Sequence, residues 1–145
     1  MMMDHVRVVY ATKTQHSKKL AQAVAKALLV QAKSVDQCTK GEQSELLFIA
    51  GGIYAGKCNP ALVSYAQSLD TEQVKNVVLI TSSVSITQRK QQEIREILTM
   101  KGISVVDEIT CPGAVFFIKL THPNKRDLQF VAEAAKSIVA KTIIS

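Results

Sequence analysis

The sequence predicts a three-layer, doubly wound α/β domain built on a parallel sheet, and three observations support this fold class. Short apolar segments alternate along the chain with longer segments of helical periodicity. The strongest short segments, Leu46–Ile49 and Val77–Ile80, are apolar at every position, as is typical of strands buried on both faces. The 145 residues, 47% of them hydrophobic, suffice for one core and contain no linker or repeat. We therefore expect a single domain over residues 1–145.

The first half of the chain predicts three strands and two helices. Val6–Tyr10 is a short strand, and the helix after it is indicated by apolar residues at helical spacing, namely Leu20, Ala21, Val24, Ala25, Ala27 and Leu28. A weak extended piece near Ser34–Asp36 precedes the strong strand at Leu46, which is expected to end at Gly51 and Gly52. In the second helix, Asn59 is the expected N-cap and Pro60 the first helical residue.

The second half continues the alternation. Val77–Thr81 is the third strong strand, and the helix predicted over Gln88–Met100 is followed by Gly102, a typical C-cap residue. Another strand begins at Ile103, and Val115–Ile118 is a further extended segment. The closing helix is predicted over 124–141, and its inward residues are Leu128, Val131, Ala135, Ile138 and Val139.

Composition and charge argue against several classes of function. The formal net charge is +6, but the lysines are scattered over predicted helices and aromatic residues are few, which favours solvated faces over a nucleic-acid site. No apolar run approaches the roughly 18 residues of a membrane span. Met1–Asp4 leads straight into a strand, so we expect no signal peptide and a cytoplasmic protein. Cys38, Cys58 and Cys111 lack metal-ligand spacing and are interpreted as reduced thiols.

Three segments at strand ends are candidates for ligand binding, because open parallel sheets bind ligands beyond the carboxyl ends of their strands. Thr12–Ser17 is rich in hydroxyls and opens a helix, so it could hold a phosphate. Ala50–Gly56 is glycine-rich with one aromatic residue, and Thr81–Ser85 is small and polar, so these two could hold a planar ring. The alternatives are that Thr12 or Ser17 simply caps the helix and that Tyr54 is an ordinary surface residue.

The first of these segments resembles the flavodoxin signature. Val8–Ser17, followed by Ala21 and Val24, matches an apolar pair, an aromatic residue, and hydroxyls at the spacing of that family's phosphate loop. Gln15 stands where the family has a small residue, and Ser17 replaces its threonine. The segment Ile53–Lys57 resembles the second flavin loop through Tyr54 and Gly56, and the end of the chain also reads like short members of the family.

The resemblance implies a flavodoxin-like α/β/α sandwich of five parallel strands in the order 2-1-3-4-5. It also implies noncovalently bound FMN used to carry electrons between redox partner proteins, a reductase and an acceptor. The cofactor-binding residues that it implies are Thr12, Lys13, Thr14, Gln15, His16, Ser17, Gly52, Ile53, Tyr54, Ala55, Gly56, Ser82, Ser83, Val84 and Ser85. No catalytic residue and no metal ligand is assigned.

Two other functions remain open at this point. One is a flavodoxin-fold oxidoreductase of the protoporphyrinogen-oxidase or quinone-reductase type, although residues 82–88 are short for the insertion that such oxidases carry, and the histidines lie in different segments. The other is a binding module that keeps the fold without flavin. The redox partners and the oligomeric state are not encoded in any recognisable motif.

Overall fold

A computed structural model describes residues 6–11, 16–38, 43–54, 57–58, 60–83, 92–111 and 125–141. The strands in these ranges are β1 (Val6–Tyr10), β2 (Ala32–Ser34), β3 (Ser44–Tyr54), β4 (Lys57–Cys58), β5 (Val74–Ser83) and β6 (Ser104–Cys111). The α-helices are α1 (His16–Leu28), α2 (Pro60–Ser68), α3 (Gln92–Met100) and α4 (Lys125–Val139). A 3₁₀ helix, Val35–Gln37, follows β2 directly.

The sheet has the spatial order β2-β1-β3-β5-β6, and every neighbouring pair in this order is parallel. The two-residue strand β4 pairs antiparallel with the end of β3 and lies off this path. When the five parallel strands are numbered without β4, their order is 2-1-3-4-5, so the predicted strand order is confirmed. The chain reverses its direction of travel across the sheet between β1 and β3, so the ligand crevice of this architecture is expected at their carboxyl ends.

The sheet separates two apolar cores, and the continuous apolar strands supply side chains to both. Phe48 and Ile80 belong to the core beneath α1 and α4. Leu47, Ile49 and Leu79 belong to the core beneath α2 and α3. All five of these side chains are fully buried. Alternation of side chains across the pleat explains why these segments are apolar at every position.

Two predicted strand boundaries were wrong. Strand β3 does not end at Gly51 and Gly52 but continues to Tyr54, because both glycines pair with β5 in regular register. The extended piece expected near Ser34–Asp36 lies earlier, at Ala32–Ser34. Ser34 is the N-cap of the 3₁₀ helix that follows, with its Oγ accepting from the Asp36 amide at 3.3 Å.

The predicted helix signals are confirmed where the structure describes them. Pro60 is the first residue of α2, and Gly102 follows α3 with a φ of +86°. After α1 the equivalent position is Leu29, which has a φ of +61° and was not recognised in the sequence because leucine seldom adopts this conformation. The predicted caps Asn59 and Asn124, the start of the helix predicted from Gln88, and the segment 115–118 lie outside the described residues.

Candidate functional site

The three predicted ligand segments follow β1, β3 and β5, which are neighbours in the sheet. They therefore lie at the edge of the sheet that is formed by the carboxyl ends of its strands. Strands β1 and β3 remain in register to Tyr10 and Ala50, and the Ala11 amide donates to the Ala50 carbonyl at 3.3 Å. Strands β3 and β5 pair to their ends, with Gly52 opposite Ser82 and Ile53 opposite Ser83. Described residues of the second predicted segment are therefore paired, on adjacent strands, with residues of the third.

The structure describes part of the predicted site. Ser17 is described with its side chain. The backbone is described for His16, Gly52, Ile53, Tyr54, Ser82 and Ser83. The remaining predicted residues, Thr12, Lys13, Thr14, Gln15, Ala55, Gly56, Val84 and Ser85, lie outside the described residues.

Ser17 is the most informative residue at this edge. It lies in the first turn of α1, is fully buried, and its Oγ has no hydrogen-bond partner within the described parts of the chain. A buried hydroxyl without a partner costs about 1–3 kcal/mol. The first turn of α1 contains no acidic residue, and its helix dipole favours an anion. The arrangement fits a ligand with an anionic group that accepts a hydrogen bond from the Ser17 hydroxyl.

Ser44 provides a useful comparison. Its Oγ is also buried and lacks a partner among the described residues, but it lies at the first residue of β3, at the opposite edge of the sheet. The Ser44 amide donates to the Gln73 carbonyl at 2.9 Å, which holds this residue at the amino end of the strand. A lone buried hydroxyl is thus not by itself a site, and it is the helix start that distinguishes Ser17.

A buried polar network connects the carboxyl end of β5 to β6 and α3. The Thr81 hydroxyl donates to Glu108 Oε2 at 3.1 Å, and Arg95 Nη2 donates to Glu108 Oε1 at 2.7 Å. Thr81 is fully buried, and the Glu108 and Arg95 side chains are 3% and 31% exposed. The network joins β5, β6 and α3 immediately before Ser82 and Ser83. The network has no signal in the sequence, since neither residue type nor spacing links these three positions.

Other site types find little support in the described part of the chain. There, no group of three or more His, Cys, Asp or Glu side chains is placed to hold a metal ion. Cys38 is half-buried, and its Sγ donates to the Ser34 carbonyl at 3.5 Å. Among the helices in the described ranges, none has both the length and the apolar content needed to cross a bilayer.

Comparisons with known proteins agree with the architecture. A family model described as a flavodoxin domain matches residues 7–138. A flavodoxin from the domain Archaea is 18% identical, with a TM-score of 0.67, 94% of this chain covered and 97% of that chain. The flavodoxin of Streptococcus pneumoniae TIGR4 is 14% identical, with a TM-score of 0.69 and coverages of 94% and 98%.

A larger protein contains a similar domain. Rubredoxin oxygen:oxidoreductase from Desulfovibrio gigas is 13% identical with a TM-score of 0.69, and the match covers 96% of this chain but 36% of that protein. At these identities the structural likeness establishes the fold. A search of the curated proteins found no match.

Proposed function

This chain belongs to the flavodoxin family, and from that premise we propose that it binds FMN and carries electrons between redox partner proteins. The observation that carries the proposal is the buried Ser17 hydroxyl, which lacks a partner among the described residues and lies in the first turn of α1. FMN offers a dianionic phosphate, which suits a helix N-terminus lined by hydroxyls. The proposal includes a cytoplasmic location.

The residues that would hold FMN fall into two groups. Thr12, Thr14 and Ser17 would donate hydroxyl hydrogen bonds to the phosphate, with backbone amides of the same turn and the charge of Lys13 in support. Tyr54 and the Ser82–Ser85 segment would contact the ring system from the ends of β3 and β5. The flavin, when bound, supplies the one- and two-electron redox chemistry that amino-acid side chains lack.

The described residues contribute by fixing the positions of these groups. In-register pairing of Gly52 with Ser82 holds the ends of β3 and β5 side by side. The Thr81–Glu108–Arg95 network ties the end of β5 to β6 and α3, so the segment that follows Ser83 starts from a fixed point. Groups positioned before the ligand arrives lose less entropy when it binds.

The two alternatives are less well supported. A flavin-free module would leave the Ser17 hydroxyl buried at a cost with no compensating ligand. An oxidoreductase acting on its own substrate would need acid–base or nucleophilic groups near the flavin, and the ionisable side chains described near this edge, Glu108 and Arg95, form an ion pair with each other. Electron transfer between partner proteins is therefore the function that we propose.

Reconstitution with FMN tests this function. We expect the purified protein, or its apoprotein after incubation with FMN and gel filtration, to retain one FMN per chain and to absorb in the near-ultraviolet and the blue. Free FMN passed through the same column is the control, because it elutes apart from the protein. A folded protein that retains no flavin at micromolar FMN would exclude the proposed function.

A further inference from the structure

The helical layer formed by α1 and α4 is basic on its outer surface. Helix α1 contains Lys18, Lys19 and Lys26 and no acidic residue. Lys19, Lys26 and, on α4, Lys136 are exposed, while Lys18 is half-buried. Glu133 is the exposed acidic residue among the described side chains of α4. We call the outer surface of these two helices the basic layer.

The helices on the other side of the sheet have the opposite character. Helix α2 contains no charged residue, and α3 contains Glu93 and Glu96, both exposed. The cation of α3, Arg95, is neutralised by its ion pair with Glu108. Among the described helices, the positive charge is therefore concentrated in the basic layer, and an excess of one sign on a surface attracts partners of the opposite sign.

The basic layer begins at the edge of the sheet where FMN is proposed to bind. Lys18 and Lys19 directly follow Ser17 in the first turn of α1. The sequence of α4 also opens with two basic residues, Lys125 and Arg126, which are followed by the acidic Asp127. A negatively charged partner attracted by this layer would thus be brought near the redox cofactor, so attraction and electron transfer would act at adjoining surfaces.

One large aromatic side chain is exposed in the same layer. Phe130 of α4 is 56% exposed, although most large apolar residues of the described chain are buried. Aromatic residues are enriched at the centres of protein interfaces, where a few anchors supply much of the binding energy. An exposed phenylalanine on a helix of the basic layer fits the combination of apolar anchor and charged rim found at protein–protein interfaces.

We propose that the basic layer is the docking surface for a negatively charged electron-transfer protein. The proposal rests on the proposed FMN function and adds to it the charge and location of the partner contact. A protein surface is favoured over an anionic membrane, because membrane-bound helices need a continuous apolar face. Among the side chains that the structure describes, the other exposed large apolar residues, Leu29, Met100 and Val106, lie outside α1 and α4.

Electron transfer to two acceptors of opposite charge tests this surface. The reduced FMN protein is mixed rapidly with oxidised rubredoxin, a small acidic iron protein, or with the basic cytochrome c. Each reduced FMN gives two electrons to two Fe(III) centres, which become Fe(II), and releases two protons to solvent. The rate constant with rubredoxin should fall as salt is raised, and that with cytochrome c should rise or stay level.

Two double variants of equal net charge separate this surface from overall charge. Lys26→Glu/Lys136→Glu reverses charges in the basic layer, and Lys75→Glu/Lys101→Glu reverses exposed charges outside it. At low ionic strength we expect the first pair to slow reduction of rubredoxin about tenfold. The second pair should slow it about twofold or less. Equal effects of the two pairs, or none, would overturn the proposal.

The design also distinguishes a failure of the surface from a failure of the FMN function. If the protein binds no FMN, titration calorimetry of the apoprotein with rubredoxin at low salt still compares the two double variants. Flavin content is measured for each variant, so that a loss of cofactor is seen directly. Binding to vesicles of anionic lipid that is tighter than binding to rubredoxin, and is abolished by Lys26→Glu/Lys136→Glu, would assign the layer to a membrane and contradict the proposal.

Discussion

Replacing Ser17 by alanine is expected to weaken FMN binding about tenfold or more while making the apoprotein more stable. In the apoprotein, the change removes a buried hydroxyl that lacks a partner among the described residues, which should raise the free energy of unfolding by about 1 kcal/mol. In the complex, it removes a hydrogen bond to a charged phosphate, worth about 1.5–3 kcal/mol. Flavin fluorescence titration and thermal unfolding of the apoprotein measure the two effects.

Ser44→Ala is the matched control for this experiment. Ser44 has the same buried, unpartnered hydroxyl within the described structure but lies at the amino end of β3. This variant should stabilise the apoprotein similarly and leave FMN affinity unchanged. If both variants weaken FMN binding equally, the effect is a general one of packing. If Ser17→Ala leaves the affinity unchanged, Ser17 does not contact the phosphate.

Replacing Arg95 by methionine is expected to lower the free energy of unfolding by about 3 kcal/mol. Glu108 is 3% exposed, so the loss of the guanidinium 2.7 Å away leaves a carboxylate that water reaches poorly. Removing one partner of a buried ion pair typically costs about 3–5 kcal/mol, and the partial exposure of Arg95 places the effect at the lower end. Urea unfolding of the apoprotein followed by circular dichroism measures the change.

The double variant Arg95→Met/Glu108→Leu provides the internal test of this explanation. It removes both charges, so it should be clearly more stable than Arg95→Met alone. Thr81→Val should cost about 1 kcal/mol, since it removes one hydrogen bond to the same carboxylate. A double variant that is no more stable than Arg95→Met alone would show that Arg95 acts through its aliphatic contacts and that its charge is unimportant.

The fold was predictable because its signals are local. Leu46–Ile49 and Val77–Ile80 are apolar at every position, and the structure buries them on both faces of the sheet. The end of β3 was predicted wrongly because of its glycines. Gly51 and Gly52 are common in turns, but here their backbones pair with β5, an interaction that the sequence of β3 does not reveal.

The buried network was not predictable, because it depends on an irregularity in strand pairing. The register between β5 and β6 shifts after Val77, so that Val77 pairs with Val105 but Val78 pairs with Asp107. Val106 is skipped, and Glu108 comes to lie opposite Leu79, on the face covered by α3. Regular alternation from Val105 would have turned Glu108 to the other face. By contrast, Ser17 was predicted as a site residue because hydroxyls at a helix start form a local pattern.

The central claim is that this edge of the sheet holds FMN through its phosphate, and comparison of FMN with riboflavin tests it most directly. The two flavins share the ring system and differ in the phosphate, so their affinities for the apoprotein isolate its contribution. Fluorescence quenching titrations at one ionic strength should give FMN a dissociation constant at least about tenfold lower than that of riboflavin. Equal dissociation constants for the two flavins would contradict the claim.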